Sequence, residues 1–298
     1  MTPRPSMAAL PSPPRNGIPL LDHLAATLRL SRRAAKNLLD ERAVFVNGKR
    51  IWMAKHPLQV HDAVEILSSL APSALPSPSS PAKPAPARPE TAPPPVRILR
   101  DSPHWLVADK TAGILANGPR SLETLLRDRL ALPGLRAVHR LDRDTSGCLL
   151  FAKDAATRDA LVAQFEENRI GKGYHVLVAG IPPESSFTIR QSLDRLPAVS
   201  HFRILSARTR APRCAHLAVR IETGRTHQIR RHLQNCGYPV LGDRHYYSQA
   251  AAPFRGIPRQ MLHASRLLFA DPATGEPVRC DSPLPPDFRS TLRRLGLD

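Results

Sequence analysis

Three stretches of the chain concentrate side chains able to act as acids, bases, nucleophiles or anion ligands. They are His139-Arg140-Leu141-Asp142-Arg143-Asp144-Thr145-Ser146-Gly147, Gly171-Lys172-Gly173-Tyr174, and Gly224-Arg225-Thr226-His227-Gln228-Ile229-Arg230-Arg231-His232. In the first, strand periodicity would put His139, Leu141 and Arg143 on one face and Arg140, Asp142 and Asp144 on the other, so that a carboxylate lies beside a guanidinium. One reading is a structural ion pair, with Asp144 capping the Thr145-Ser146-Gly147 turn. Others use the aspartates chemically: a D-x-D pair holds a divalent metal in sugar transferases, and paired carboxylates serve glycoside hydrolysis. Arg140 and Arg143 count against a metal, because the positive charge that the acids would need is already supplied. A zincin-like site fails on spacing, since His227 and His232 are five residues apart and no carboxylate intervenes. There is no Gly-rich phosphate loop. The four cysteines, Cys148, Cys214, Cys236 and Cys280, form no C-x-x-C pair, which excludes a zinc ribbon and a redox motif and points to a reducing, cytoplasmic compartment.

The elements that must hold these residues follow from hydrophobic pattern. Trp105 to Ala108 reads as a strand, Ser121 to Leu130 as a helix, Arg136 to Asp142 and Cys148 to Ala152 as strands, and Thr157 to Asn168 as a helix with Leu161 and Phe165 one turn apart. In Arg213 to Glu222, Ala215, Leu217, Val219 and Ile221 alternate with His216, Arg220 and Glu222, which is a strand with one polar face leading toward Gly224-Arg225-Thr226. Residues 96–298 are therefore expected to form an α+β domain around one sheet.

Proline marks the boundaries. Residues 71–95 hold ten prolines and no aromatic residue, so they cannot build a core and are expected to be an extended spacer. Residues 1–15 hold five prolines and read as a disordered leader. Between them, 16–70 is a small α/β unit. Leu20, Leu21, Leu24 and Leu28 recur at helical spacing, Ser31 is placed to cap a second helix through Asp40, and Val44-Phe45-Val46 runs into Asn47-Gly48, a hairpin signal, before a returning strand near Val64. Eight cations and two acids lie between Arg29 and Lys55. The whole chain has 43 Lys and Arg against 25 Asp and Glu, a net charge of +18, and 36 of those cations are Arg. This excess points to a polyanionic partner, nucleic acid before membrane surface, because cations set against phosphates release condensed counterions. No apolar run approaches the ~18 residues that span a bilayer.

The motifs themselves resemble a known family. His139-Arg140-Leu141-Asp142 with Thr145-Ser146-Gly147, then Lys172-Gly173-Tyr174, Gly224 to Arg230, Gly237-Tyr238-Pro239 to Gly242-Asp243, and Leu262-His263-Ala264 to Thr274-Gly275-Glu276 are similar, in order, to the signature of the RluA family of RNA pseudouridine synthases. Ser31-Arg32-Arg33-Ala34-Ala35 and Val44-Phe45-Val46-Asn47-Gly48 resemble the small RNA-binding domain named after ribosomal protein S-four, with Arg42 where a glycine is usual. The resemblance implies a mixed, largely antiparallel sheet with flanking helices, and conversion of uridine to pseudouridine without metal or cofactor. It implies Asp142 as the catalytic aspartate, Arg225 pairing with it, and Tyr174 stacking on the target uracil and taking its carbon 5 proton. Arg140 is implied to fill the place of the flipped-out nucleotide. Lys172 and His139, with Arg32, Arg33, Lys36, Lys49 and Arg50 of the small domain, are expected RNA contacts. Large-subunit ribosomal RNA is the expected target, transfer RNA stays open, and a monomer is the default. Thr111, Asn117-Gly118-Pro119 and Asp271 depart from the family pattern in loops outside the catalytic set.

Overall fold

The computed structural model describes residues 7–28, 30–40, 43–51, 53–54, 56–67, 96–246 and 249–298. The chain divides into two compact units, Met1–Ala87 and Arg88–Asp298. The proline-rich spacer and Arg42 lie outside the described residues, as do the side chains of Arg33, Lys49 and Arg50.

In the first unit, β1 (Met7–Ala9) and β2 (Ile18–Pro19) precede α1 (Leu20–Thr27) and α2 (Arg32–Asp40). They are followed by β3 (Val44–Val46), β4 (Lys49–Arg50), β5 (Pro57–Leu58) and β6 (Val64–Leu67). Leu20 and Leu24 of α1, Ala35 and Leu39 of α2, and Val44 and Ile66 are buried together. Asn47 and Gly48 take φ values of 51° and 73° between the paired residues Val46 and Lys49, the left-handed two-residue turn that an Asn-Gly sequence favours. The leader expectation needs correction at its end. Met7, Ala8 and Ala9 pair antiparallel with Leu67, Ile66 and Glu65, and Leu10 enters the core. Without β1, β6 would present an open edge.

The second unit contains β7 (Arg97–Asp101), β8 (Trp105–Lys110), α3 (Leu122–Leu130), β9 (Arg136–Ala137), β10 (Ser146–Ala152), α4 (Ala155–Glu166) and β11 (Gly171–Ala179). It continues through β12 (Ser186–Arg190), β13 (Val199–Arg208), β14 (Cys214–Ile221), α5 (Gln228–Asn235), β15 (Leu262–Ala270), β16 (Pro277–Asp281) and α6 (Pro286–Leu295). Among the described residues its ten strands form one mixed, largely antiparallel sheet in the order β12-β13-β14-β11-β15-β10-β8-β7. Strand β16 pairs with β15, β9 with β10, and β10 with β15 in parallel. Strand β8 is a continuous apolar run because both its faces are covered. Leu106 and Ala108 meet Leu122 and Leu126 of α3, while Trp105 and Val107 share a core with Leu161 of α4. On β14, Leu217, Val219 and Ile221 meet Ile229 and Leu233 of α5. Ser121 caps α3 reciprocally with Thr124, and Asp154 accepts the Thr157 N–H at the start of α4. No helix among the described residues is long and apolar enough to cross a membrane.

The strand expected over Arg136 to Asp142 is shorter than its pattern. Only Arg136 and Ala137 pair with β10; Val138 still donates to the Leu150 carbonyl at 3.0 Å, and beyond it the chain leaves the ladder. Buried cations take the loop carbonyls instead. Lys110, fully buried, donates to the carbonyls of Thr111, Ile114 and Arg143 at 3.0, 2.7 and 2.7 Å. Arg259 donates to the Asp144 carbonyl at 3.0 Å and to Ser146 Oγ at 3.2 Å. The loop returns to the sheet at Gly147, whose φ is 114° and where a Cβ would stand 2.1 Å from the Ala264 carbonyl oxygen.

Candidate active site

Asp142 lies on this pinned loop, 19% exposed, in a cleft of about 110 Å³ lined by Arg140, Asp142, Tyr174, Arg225, His227 and Arg230 among others. The cleft lies where the loop, β11 and the start of α5 meet. The turn before α5 is tied by Gln228, whose Oε1 accepts from the Arg225 N–H and from Thr223 Oγ1. His227 then takes a left-handed backbone, φ 54°, and the helix begins. This geometry aims His227 and Arg230, three residues apart, at the carboxylate.

The expected partner of Asp142 is corrected here. Arg225 donates through Nε to the Pro197 carbonyl at 3.1 Å, because the turn carries it past the carboxylate to the rim. Arg230, on the first turn of α5, donates from Nη1 to Asp142 Oδ2 at 2.8 Å. Gln260 Nε2 reaches the same oxygen at 3.5 Å, and Asp142 Oδ1 faces His227 Nε2 at 3.6 Å. The remaining nitrogens of Arg230 are engaged by Asp243. Nε donates to one carboxylate oxygen at 2.6 Å and Nη2 to the other at 2.9 Å, a planar fork that fixes the guanidinium. Asp243 is itself buried. Burial alone would raise its pKa, but the Arg230 guanidinium and the N–H groups of Tyr246 and His245 outweigh that and hold it below the ordinary carboxylate value.

The ring of contacts closes through Tyr246. Its hydroxyl is 2.9 Å from His227 Nδ1, and the Arg230 guanidinium lies 5.0 Å from its ring centroid. Burial lowers the His227 pKa to about 4 against the pull of Asp142, so the imidazole is neutral at working pH. With the proton on Nε2, the Tyr246 hydroxyl donates to Nδ1 and the Nε2 hydrogen faces Asp142. Tyr174, on β11, is a further wall of the cleft. Burial first and the charge of Asp142 second raise its pKa, so the phenol stays protonated.

Arg140 is exposed at the rim. Two of the expected RNA contacts are turned to other uses. The His139 ring stacks on Phe165 with centroids 4.8 Å apart, and its Nε2 accepts from the Leu150 N–H. Burial pushes its pKa down to about 3. Lys172, 6% exposed, donates to the Glu222 carbonyl at 3.1 Å with its ammonium above the Phe165 ring, so it braces β11 rather than meeting solvent. In the first unit Arg32 and Lys36 are exposed on α2, and Arg32 pairs with Asp22 at 2.5 Å.

Arg230, Asp243, Gln260, Lys110 and Arg259 carry parts that the sequence reading did not assign. A signal existed for Arg230, since helical spacing links it to His227 whereas Arg225 precedes the helix. Lys110 reaches the loop from the end of β8, and Arg259 and Gln260 from the segment just before β15, and nothing local announces them.

A family model described as RNA pseudouridylate synthase matches residues 104–235. The ribosomal large subunit pseudouridine synthase D of Pseudomonas aeruginosa is 35% identical over 236 residues, which cover 68% of this chain and 72% of that protein. The protein of the same name from Xanthomonas campestris is 33% identical over 237 residues, 68% of this chain and 70% of its own length. In fold, the structure of human RNA Pseudouridylate Synthase Domain Containing 4 superposes with a TM-score of 0.57 at 22% identity, over 67% of this chain and 93% of that one. Sheet and sequence together define an isomerase that acts on uridine in RNA. The chain belongs to the RluA-type family of RNA pseudouridine synthases.

Proposed function

We propose that this enzyme forms pseudouridine in large-subunit ribosomal RNA, in the cytoplasm, with Asp142 as its catalytic carboxylate. The observation that carries this reading is the unequal use of the two Asp142 oxygens. Oδ2 is held by Arg230 at 2.8 Å, while among the described residues the contact of Oδ1 is His227 at 3.6 Å, and Asp142 lines the cleft. The carboxylate is fixed in direction yet keeps an oxygen for the ribose. In the reaction the bond from ribose carbon 1′ to ring nitrogen 1 breaks, the ring turns, carbon 1′ bonds to carbon 5, and carbon 5 loses a proton while the freed nitrogen 1 gains one. Asp142 acts at the ribose during this exchange. Tyr174 stacks on the uracil, a role that suits a phenol kept protonated by burial better than proton abstraction does. Arg230 takes the place first expected of Arg225 and fixes the direction of the carboxylate. Arg140, exposed at the rim, fills the stack vacated by the flipped-out nucleotide.

The first unit docks the RNA through α2 and the β3–β4 hairpin, where Arg32, Arg33, Lys36, Lys49 and Arg50 lie, in the manner of the S-four-like domain that it resembles. The ribosomal target rests on the names of the two bacterial relatives. Its test is pseudouridine mapping across cellular RNA with and without the protein. Sites should vanish from large-subunit ribosomal RNA without it and return with the unsubstituted chain but not with Asp142→Asn. Sites lost only from transfer RNA would overturn the target.

A further inference from the structure

The polar face of β14 does not look into the catalytic cleft. Register places Thr188 of β12 opposite His201 of β13, His201 opposite Arg220 of β14, Arg220 opposite Gly173 of β11, and Gly173 opposite Arg266 of β15. One residue row along, Ser186 opposes Arg203, Arg203 opposes Ala218, and Ala218 opposes His175. Residues paired across a ladder share a face, so these rows line one side of five adjacent strands, about 19 Å across. The other side carries Phe202, Val219 and Ile221, packed under α5.

This side forms a concavity of about 670 Å³, much larger than the catalytic cleft. Its floor is low because Gly171, Gly173 and Ala218 have little or no side chain. Arg203, Arg220 and Arg266 stand around it, Ser186 and Thr188 add hydroxyls, and among the described residues no carboxylate lines it. The acids nearby are already engaged: Glu222 by His201 at 2.7 Å, and Asp281 by Arg266 and Arg279 at 2.6 Å each. Arg203 is exposed and has no acidic partner among the described residues. Tyr174 contributes to the lining of both this concavity and the catalytic cleft, which lie on opposite faces of the sheet near the start of β11.

We propose that this concave sheet face is a second RNA-contact surface, which takes a single-stranded phosphodiester segment of the substrate RNA outside the target nucleotide. The proposal rests on the reading of the chain as an RNA-modifying enzyme. Arginine forks and hydroxyls in rows match phosphate oxygens, and a floor of glycine and alanine gives backbone contact without base selection. An acidic peptide has the same charge, but an RNA-modifying enzyme must hold RNA in any case, and strand β11, which carries Tyr174, also carries Gly171 and Gly173 of this floor.

The experiment compares a long fragment of ribosomal RNA with a minimal stem-loop carrying the target uridine, for the unsubstituted chain and for the double variant Arg203→Glu/Arg220→Glu. A second double variant, Arg289→Glu/Arg293→Glu on α6, makes the same change of net charge elsewhere. Affinity of each RNA is read across a salt series, and turnover of the unsubstituted chain is read separately. The groove variant should weaken the long RNA at least about tenfold relative to the stem-loop, and its salt slope on the long RNA should fall by about 1.4 to 1.8. The control on α6 should keep the ratio of the two affinities. Equal loss on both RNAs, equal loss in both variants, or an unchanged affinity with capture of a polyglutamate peptide would each overturn the proposal. Absence of turnover by the unsubstituted chain would instead overturn the reading of the catalytic site.

Discussion

Arg230 serves two carboxylates with one guanidinium, and the division of its nitrogens matters. The two-contact fork goes to Asp243 and a single donor goes to Asp142, so Asp243 sets the direction of the cation while Asp142 is held without being fully neutralised. A lysine has no such fork and cannot bridge both acids in the same geometry. Arg230→Lys should therefore lower the single-turnover rate by about 100-fold, whereas Arg225→Lys, which changes a rim residue bonded to the Pro197 carbonyl, should cost only a few-fold. Single-turnover assays at saturating RNA check the pair, and the reverse ranking would restore Arg225 to the carboxylate. His227 supplies a second expectation at this scale. With a pKa near 4, it does not titrate between pH 5 and 8, so His227→Gln should change the height of the pH–rate profile across that window and leave its shape alone. The resemblance to the family's motifs singled out Asp142 and Tyr174, but it did not choose correctly between two arginines five residues apart as the partner of Asp142. The choice depends on where a helix starts, and that start is set by the left-handed backbone at His227.

At the scale of elements, the strands with clear alternation or continuous apolar runs were legible, since β8, β10, β14, α3 and α4 satisfy local pattern and tertiary packing at once. The loop that carries Asp142 was not. Its text reads as a strand, yet Lys110, Arg259 and Gln260 draw it out of the ladder by contacts from residues remote in sequence. Glycines hold the same architecture from below. At Gly242, just before Asp243, φ is 75° and an added Cβ would stand 1.9 Å from the Arg259 carbonyl oxygen. Gly242→Ala should therefore destabilise the catalytic unit by about 2 kcal/mol or more, combining left-handed strain with a backbone clash. The position of Asp243 should suffer with it, so activity should fall below what the remaining folded fraction accounts for. Thermal unfolding and activity per folded molecule test this together, and wild-type stability in the variant would show that the contact is not as tight as the geometry states.

For the whole molecule, the sequence made its proline and charge excesses plain but could not say which surface uses the charge. The polar face of β14 was visible as alternation, and only the sheet order shows that it faces away from the chemistry. Buried histidines give a property of the fold as a whole. His139 is pushed down to about 3, and His175, His216 and His263 to about 4, by burial in each case. Unfolded imidazoles take up protons near 6.5, so between that value and 4 the unfolded chain binds more protons than the folded one. The contribution of these rings to stability should be constant above pH 7 and fall as pH drops from 6.5 to 4, which urea unfolding across that lower range will measure. A flat profile would mean that these rings are solvated or charged in the fold. The central claim concerns Asp142, and its most direct test is release of tritium from RNA labelled at uracil carbon 5. Asp142→Asn should abolish release while Asp144→Asn, two residues along the same loop, retains it. Equal loss in both variants, or in neither, would contradict the assignment of Asp142 as the catalytic carboxylate.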